Sequence, residues 1–483
     1  MPRFTGKEHV LLLLAAALVA SAFAVHVHIL VSHPVKRLFG DERTYLRYAG
    51  LLCTDRFERL LPGRMIFEMW PPFAYSFHAL VVPCGLAPER SKQSAKEFAA
   101  LERLEYATSM REHPDYAGDF HFALDPPVAG AALGAVAWAN LALLLALSGI
   151  VFAFCLHLGA GVPAASLGAA LIAINPRLGF HVSSLWPELL HAVLLSGGML
   201  GLCQAVERSE SGRRLGYGLA AASGLLIGYA TLTKGVAGPF FGLVSLAVAG
   251  SALWRLRSHR RTAGRLLIVL VLFVASAQAV VLPQRLANRS RLGAPIIATN
   301  FWLNVEVGLK PEGLDAESVR TAYFGASRDY LEREALSRAR VRDNLSKADP
   351  VRLGARLAAK LAREVTSSFL AKRSAAKRWD GIDEDDLRAS RILSLILSCG
   401  LIAGAGAYAL LAFRFRFAEL LLLGFIVYYA AGLLAMVGNE RMFVQAIPPL
   451  TILTASLARR PPPRGGRYPP PSPSRIPRTK SSS

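Results

Sequence analysis

The sequence predicts an all-α polytopic membrane protein with about ten transmembrane helices and two long extracytoplasmic segments that carry surface helices. Three observations lead to this fold class. Hydrophobic residues make up 53% of the 483 residues and charged residues only 18%, below the roughly 25% usual in soluble globular proteins. The apolar residues form blocks of about 20, the length a helix needs to cross a bilayer. The Lys and Arg residues cluster between these blocks, as in polytopic membrane proteins.

The same composition excludes other classes of protein. The chain has enough apolar side chains to bury in a folded structure, and this excludes disorder over most of its length. Its five Cys residues are too few for a disulfide scaffold and show no zinc-ligand spacing. The net charge of +21 raises nucleic acid as a partner, but basic residues placed between apolar blocks favour a membrane protein. We therefore expect no nucleic-acid partner, no metal site and no cofactor.

The first apolar block, Val10 to Val31, follows Arg3 and Lys7. It predicts an N-terminal anchor helix within residues 1–31. The competing interpretation is a cleaved signal peptide. An uncleaved anchor is favoured because the apolar stretch is long for a signal peptide and no small-x-small cleavage site ends it.

Nine further apolar blocks predict the remaining transmembrane helices. Helices 2–7 fall within residues 128–283 and helices 8–10 within residues 391–458. The blocks lie at about 128–158, 164–180, 185–206, 215–232, 236–254, 266–283, 391–413, 417–437 and 442–458. Between and after them lie a first extracytoplasmic loop with an acidic motif (32–127), a second extracytoplasmic segment (284–390) and a disordered, basic cytoplasmic tail (459–483).

Lys and Arg residues in short loops set the predicted orientation. With the N-terminus inside, four basic segments fall on the inner side, and the inverted topology would place all of them outside. The four segments are 208–214, 255–265, 414–416 and 459–480. We therefore expect a multi-pass protein of the inner (plasma) membrane, in contact with membrane lipids.

Each outer segment is predicted to carry a surface helix. The first runs from about Ala87 to Glu112. The second begins at Asp349-Pro350, where Asp can cap the helix and Pro occupies its first position, and runs to about Arg378. This second helix is basic and amphipathic, which is typical of a helix on a membrane surface. Its apolar residues are Leu353, Leu357, Leu361 and Val365.

Ionisable residues collect at the predicted outer ends of several helices, where their cost marks them as functional candidates. Asp41 and Glu42 are adjacent carboxylates, and His181 and Glu188 lie between two helices. The cations that could bind an anionic group are Lys234, Arg285, Arg289 and Arg441. A carboxylate base facing cations suits transfer from a phosphate-linked donor, because the base deprotonates an acceptor hydroxyl and the cations stabilise the leaving phosphate. In a membrane, this donor would be a lipid phosphate.

Each of these residues also has an ordinary structural explanation. An Asp-Glu pair after a helix is common in solvated loops. Lys234 and Arg441 can extend to lipid headgroups, and Arg285 and Arg289 can bind headgroups without specificity. Glu188 can be a first-turn acid favoured by the helix dipole, and His181 a satisfied interface histidine. Only the occurrence of all these residues at one predicted face favours a functional site.

Four stretches, in this order and spacing, resemble one family. They are Asp41-Glu42 through Tyr45 and Ala49, Trp70-Pro71-Pro72-Phe73 with Tyr75, Gly228 through Lys234-Gly235, and Pro283 through Asn300 to Gly308. The family is the polyprenol-phosphate-sugar-dependent glycosyltransferases of the GT-C fold, in the branch of protein O-mannosyltransferases and aminoarabinose transferases. The resemblance spans roughly residues 9–455.

The sequence departs from that family at three places. Trp70 stands where the aminoarabinose branch usually has Lys, and Ala287 stands where Arg is frequent. Residues 88–125 resemble an insertion. These departures bear on the donor and the acceptor more than on the fold.

The resemblance implies a GT-C-like fold and roles for several residues. Asp41 would be the catalytic base and Glu42 its neighbour in the acidic motif. Lys234 would contact the donor phosphate. The substrate-binding candidates are Tyr45 and Asn300, which lie in the resembling stretches, and His181 and Glu188, which topology places at the same face. The assignment of Arg285, Arg289 and Arg441 as further donor-phosphate-binding residues rests on topology and charge.

The predicted function is that of an integral membrane glycosyltransferase. It would transfer a sugar from a polyprenyl-phosphate donor to an extracytoplasmic acceptor, which is a lipid, glycan or protein, with inversion. One alternative is a lipid or solute transporter or flippase, for which charges through the midplane and two symmetric halves would be expected. Another is a non-catalytic protein of envelope assembly.

Overall fold

The computed structural model describes residues 6–33, 35, 42, 45, 60–61, 73–81, 126–257, 259–297, 301–311, 314–327, 330–366, 382, 385–436 and 443–458. Most of these residues form helices. The first eight are α1 (Gly6–Ser32), α2 (Phe73–Val81), α3 (Pro126–His157), α4 (Val162–Ala173), α5 (Pro176–Val182), α6 (Glu188–Glu210), α7 (Leu215–Thr233) and α8 (Ala237–Leu256). The others are α9 (Arg260–Leu292), α10 (Phe301–Gly308), α11 (Ala316–Ala326), α12 (Tyr330–Lys347), α13 (Pro350–Thr366), α14 (Asp386–Leu411), α15 (Phe417–Ala435) and α16 (Ile447–Ala455).

Each apolar block of the sequence coincides with a helix, which confirms the all-α, multi-pass fold class. Among the described residues, eight helices are long and apolar enough to cross a membrane, namely α1, α3, α6, α7, α8, α9, α14 and α15. The blocks at 164–180 and 442–458 form shorter helices, so the expected count of about ten is not reached by length. Block 164–180 divides at Asn175-Pro176, since a residue before Pro leaves the helical conformation, and Asn175 then caps α5.

Two glycines allow α7 to pack closely against the backbone of α9. Gly224 and Gly228 lie one helical turn apart on α7 and face Phe273 and Ala277 of α9. A Cβ atom added to Gly224 would lie 2.2 Å from the carbonyl oxygen of Phe273, and one on Gly228 would lie 2.9 Å from that of Ala277. Small residues four apart allow helix backbones to approach in this way. The position of α7 matters because its C-terminus carries a candidate site residue, Lys234.

Short connections make successive helices antiparallel, so the helix ends fall into two groups. One group, here called the basic end, contains the predicted inner loops 208–214, 255–265 and 414–416. There Nδ1 of His157 lies 3.4 Å from Oε2 of Glu207, and Arg255 pairs with Glu210. The other group, here called the site end, includes the start of α6 and the end of α7. Which end faces the cytoplasm stays a prediction.

The second polar segment folds into α10–α13. Glu334 of α12 accepts hydrogen bonds from the main-chain nitrogen of Trp302 (2.9 Å) and the hydroxyl of Tyr323 (2.9 Å). Burial raises the pKa of Glu334, and these hydrogen bonds partly oppose the rise. The hydrogen bonds hold the N-terminus of α10 against α11 and α12, so this segment has a packed interior of its own.

The helix predicted to begin at Asp349-Pro350 is present as α13, which is described as far as Thr366, and its placement on a membrane surface stays a prediction. Asp349 caps it by accepting hydrogen bonds from the main-chain nitrogens of Val351 (2.8 Å) and Arg352 (3.1 Å). Its apolar side contacts the helix bundle, since Leu361 and Val365 pack against the core. The predicted helix 87–112 and the tail 459–483 lie outside the described residues.

Candidate active site

A turn between α5 and α6, residues 183–187, is held in place by Asn140. This residue is buried in the apolar helix α3. Its amide nitrogen donates to the carbonyl oxygens of His181 (3.2 Å), Val182 (3.3 Å) and Ser184 (2.7 Å). A buried amide is stable only when it is hydrogen-bonded. The bonds therefore fix the path of the chain into α6.

Glu188, His181 and Lys234 meet at this turn. Glu188 is the first residue of α6, and its side chain is fully buried. Nζ of Lys234, just beyond α7, lies 3.0 Å from Oε1 of Glu188, and the Lys234 side chain is 14% exposed. Nδ1 of His181 lies 4.0 Å from Oε2 of Glu188. The side-chain amide of Gln445 donates to the main-chain oxygen of Glu188 at 3.1 Å. Three residues predicted from the sequence are thus brought together.

Glu42 reaches the same turn from the first polar segment. It is fully buried, and its Oε1 accepts a hydrogen bond from the main-chain nitrogen of Leu185 at 2.9 Å. Leu185 lies three residues before Glu188, so both carboxylates lie near the N-terminus of α6. The positive end of the helix dipole favours negative charge there. The sequence marked Glu42 as a catalytic candidate, a role that stays a prediction, and did not predict this contact.

Tyr45 and His78 lie beside this pair of carboxylates. Both are buried, and their rings pack edge to face with centroids 6.0 Å apart. Burial lowers the pKa of His78 from 6.5 to about 4, although the Glu188 carboxylate acts in the opposite direction. The His78 imidazole is therefore neutral at physiological pH.

Two further predicted cations lie on α9. Arg285 and Arg289 of α9 are exposed. The buried residues of that part of α9 are Gln284 and Asn288, whose side chains hydrogen-bond to each other at 3.1 Å. Nδ2 of Asn288 also donates to the oxygen of Ile296 at 2.8 Å. Asp41, Asn300 and Arg441 lie outside the described residues, and their roles stay predictions.

Several polar residues of this region were not singled out from the sequence. Besides Asn140 and His78, they include His191, whose Nδ1 lies 3.1 Å from the oxygen of Ala230 and whose Nε2 lies 3.2 Å from the hydroxyl of Tyr429. A polar side chain within an apolar helix is itself a signal of function or packing. That signal could have found Asn140 and His191. The same signal marks His78, which lies in the apolar segment Phe73–Val81.

The cluster combines groups of different chemistry in a small volume. It has a buried carboxylate paired with an ammonium group, a second buried carboxylate and imidazole rings, of which that of His78 is neutral. Such a set can hold an anion through Lys234 and hydroxyl groups through the carboxylates and the imidazoles. Among the residues that the structure describes, no three His, Cys, Asp or Glu side chains are grouped so that they could hold a metal ion.

By sequence, the chain matches no known protein family and no curated protein. It is similar to solved structures of the oligosaccharyltransferase of Archaeoglobus fulgidus. The complex of AglB with an inhibitory peptide and a dolichol-phosphate is 13% identical, with a TM-score of 0.44, over 92% of this chain and 50% of that chain. The apo form is 14% identical with a TM-score of 0.42 over the same shares. The chain spans about half the length of these proteins.

Proposed function

We propose that the chain is an integral membrane glycosyltransferase of the GT-C type. It transfers a sugar from a polyprenyl-phosphate donor to an extracytoplasmic lipid, glycan or protein. The observation that carries the proposal is the buried cluster of Glu42, Glu188 and Lys234 at the site end of an apolar helix bundle. Buried ionisable groups are retained in membrane proteins mainly for function. Two of the three also lie in stretches that resemble this family.

The proposed reaction is a single displacement at the anomeric carbon. Asp41, next to Glu42 in the chain, accepts the proton of an acceptor hydroxyl. The acceptor oxygen then forms a bond to the anomeric carbon as the bond from that carbon to the phosphate oxygen breaks. The lipid phosphate leaves with the electron pair, and attack from the opposite side inverts the anomeric centre.

Lys234 is the proposed contact of the donor phosphate. Its ammonium group is paired with Glu188 at 3.0 Å, so the phosphate would join or replace this carboxylate as a partner. Arg285, Arg289 and Arg441 are proposed to attract the phosphate from the membrane surface. Tyr45, His181, Glu188 and Asn300 are proposed to contact the sugar or the acceptor.

The proposed location of the site is the extracytoplasmic face of the plasma membrane. Support comes from the charge of the opposite end, where the loops 208–214, 255–265 and 414–416 are basic and short. Short basic loops stay in the cytoplasm. No nucleotide needs to reach the outer face, because the sugar arrives on a lipid that lies in the membrane.

Mass spectrometry of a deletion strain tests the function. We expect a polyprenyl-phosphate sugar to accumulate and one class of envelope glycan, lipid or protein to lose a sugar. The wild-type chain should restore the sugar, whereas the chain with Asp41→Asn should not. If the deletion strain has unchanged lipid-linked sugars and glycans, the proposal is wrong. If sugar donors accumulate only on the cytoplasmic leaflet, the transporter alternative is favoured.

A further inference from the structure

A buried nitrogen atom beside the cluster, Nδ1 of His78, has no hydrogen-bond partner among the residues that the structure describes. Nδ1 of His78 is closed from solvent, and within the described part of the chain no donor or acceptor lies within bonding distance of it. Buried polar atoms are nearly always hydrogen-bonded, so an exception calls for an explanation. The recorded ring neighbours of His78 are Tyr45 and Phe77, contacts that an apolar ring could also make.

His78 lies close to the candidate active site. Its helix, α2, contacts α3 and α7, the two helices that carry or precede Asn140 and Lys234. The ring packs against Tyr45, three residues after Glu42. It also lies close enough to Glu188 to interact with its charge. His78 therefore lies beside Tyr45 and near Glu188, two residues that are proposed to contact the sugar or the acceptor.

We propose that His78 is a substrate-binding residue whose Nδ1 forms a hydrogen bond with a hydroxyl group of the donor sugar. The inference rests on the proposed function. A hydroxyl is the fitting partner because it can both donate and accept, so that either neutral tautomer of the ring can bind it. Binding requires α2 to shift relative to its neighbours, because Nδ1 is closed from solvent in this structure.

Two substitutions separate hydrogen bonding from packing. His78→Phe keeps an aromatic ring against Tyr45 and removes both ring nitrogens. His78→Asn removes the ring but places an amide oxygen or nitrogen near the position of Nδ1. A purely structural role predicts that Phe is the milder change, whereas a role in binding a hydroxyl predicts that Asn is.

The test compares two kinds of probe on protein in nanodiscs. One is undecaprenyl phosphate, and the other is a panel of undecaprenyl-phosphate hexoses with gluco, manno and galacto sugars. We expect the wild-type protein to bind at least one phosphohexose more tightly than the bare phosphate. His78→Phe should weaken that phosphohexose about tenfold, the effect of one hydrogen bond worth about 1.4 kcal/mol, and leave the bare phosphate unchanged. His78→Asn should restore most of the affinity.

The outcomes distinguish this inference from the proposed function. If the wild-type protein binds phosphohexoses and His78→Phe binds them equally well, the role of His78 is wrong and the function stands. If His78→Phe weakens both probes alike, the ring acts through packing and the inference is also wrong. If the wild-type protein binds neither kind of probe, the proposed function and the inference both fail.

Discussion

Nζ of Lys234 lies 3.0 Å from Oε1 of Glu188, across the gap between the end of α7 and the start of α6. Glu188 is fully buried, and Lys234 is 14% exposed. Removal of either side chain of such a pair destabilises the protein, because the charge of the other is left uncompensated in a medium of low polarity. The pair thus has a structural effect that must be separated from any effect on substrate binding.

Lys234→Met should destabilise the protein by about 3–5 kcal/mol, the typical cost of breaking a buried ion pair. Lys234→Met combined with Glu188→Gln should recover most of this stability, since no buried charge is then left unpaired. Thermal unfolding in detergent measures both. The double variant should still bind undecaprenyl phosphate poorly. If it binds this lipid as the wild-type protein does, Lys234 does not contact the donor phosphate.

Asp41→Asn keeps the shape of the side chain and removes the proposed base. Turnover should therefore fall by about 10²–10⁴-fold, the usual contribution of a positioned proton acceptor. Expression and donor binding should be largely unchanged. Initial rates with a radiolabelled lipid-linked sugar measure the effect. Wild-type turnover by Asp41→Asn would exclude Asp41 as the base and make Glu42 the next residue to test.

The stability of the protein should depend more on the oxygen atoms of the Glu42 side chain than on its charge. Glu42→Gln keeps an oxygen that can accept the hydrogen bond from the Leu185 nitrogen, so stability should be close to that of the wild-type protein. Glu42→Ala leaves this buried N–H group without its partner, which costs about 1–3 kcal/mol. Comparison of the two unfolding temperatures is the measurement. Equal destabilisation by Gln and Ala would show that the charge of Glu42, not the hydrogen bond to Leu185, stabilises the turn.

The sequence predicted the helices of the bundle well, because apolar blocks of about 20 residues leave few alternatives to a membrane helix. It also predicted that His181, Glu188 and Lys234 would collect at one end, since alternating helices bring every second loop together. It did not predict which groups would pair. Lys234 was expected to be available to a phosphate, but its partner in the structure is Glu188, 46 residues away. The contact from Glu42 to Leu185 spans 143 residues, and no local pattern encodes such a pairing.

Gly224→Ala should disturb the packing of α7 on α9. The added Cβ atom would lie 2.2 Å from the backbone oxygen of Phe273, so the helices must separate, and overpacking of this kind typically costs about 1–3 kcal/mol. Gly218→Ala on the same helix is the matched control, because nothing lies within 4 Å of its added Cβ. The control should be neutral or stabilising, since Ala favours helix over Gly by up to about 1 kcal/mol. Equal unfolding temperatures for the two variants would contradict the close contact.

The stability of the protein should depend on pH through His78. Its pKa is about 4 in the folded protein against the ordinary 6.5. Between these values the unfolded chain binds a proton that the folded protein does not. The contribution of His78 to the free energy of unfolding is therefore complete above pH 6.5. It is lost as the pH falls toward 4, by about 3 kcal/mol in all. Unfolding temperatures of the wild-type protein and His78→Phe at several pH values isolate this effect. The two curves should diverge on acidification, and parallel curves would show that His78 is not buried in its neutral form.

The orientation of the bundle determines whether the site meets its proposed donor and acceptor outside the cell. Residue 258 lies in the basic loop 255–265, which contains five Arg residues and no acidic residue. Residue 327 lies in the second polar segment, just after α11. The five native Cys residues are first replaced, and Ser258→Cys and Ser327→Cys are then introduced one at a time. In intact cells a membrane-impermeant maleimide should label the cysteine at 327 but not at 258, and the latter should react only after permeabilisation, since short basic loops remain in the cytoplasm. Labelling of both positions from the same side would contradict the topology. Labelling of 258 alone in intact cells would place the Glu188–Lys234 cluster on the cytoplasmic face. A lipid-linked donor for an extracytoplasmic acceptor could not be used there.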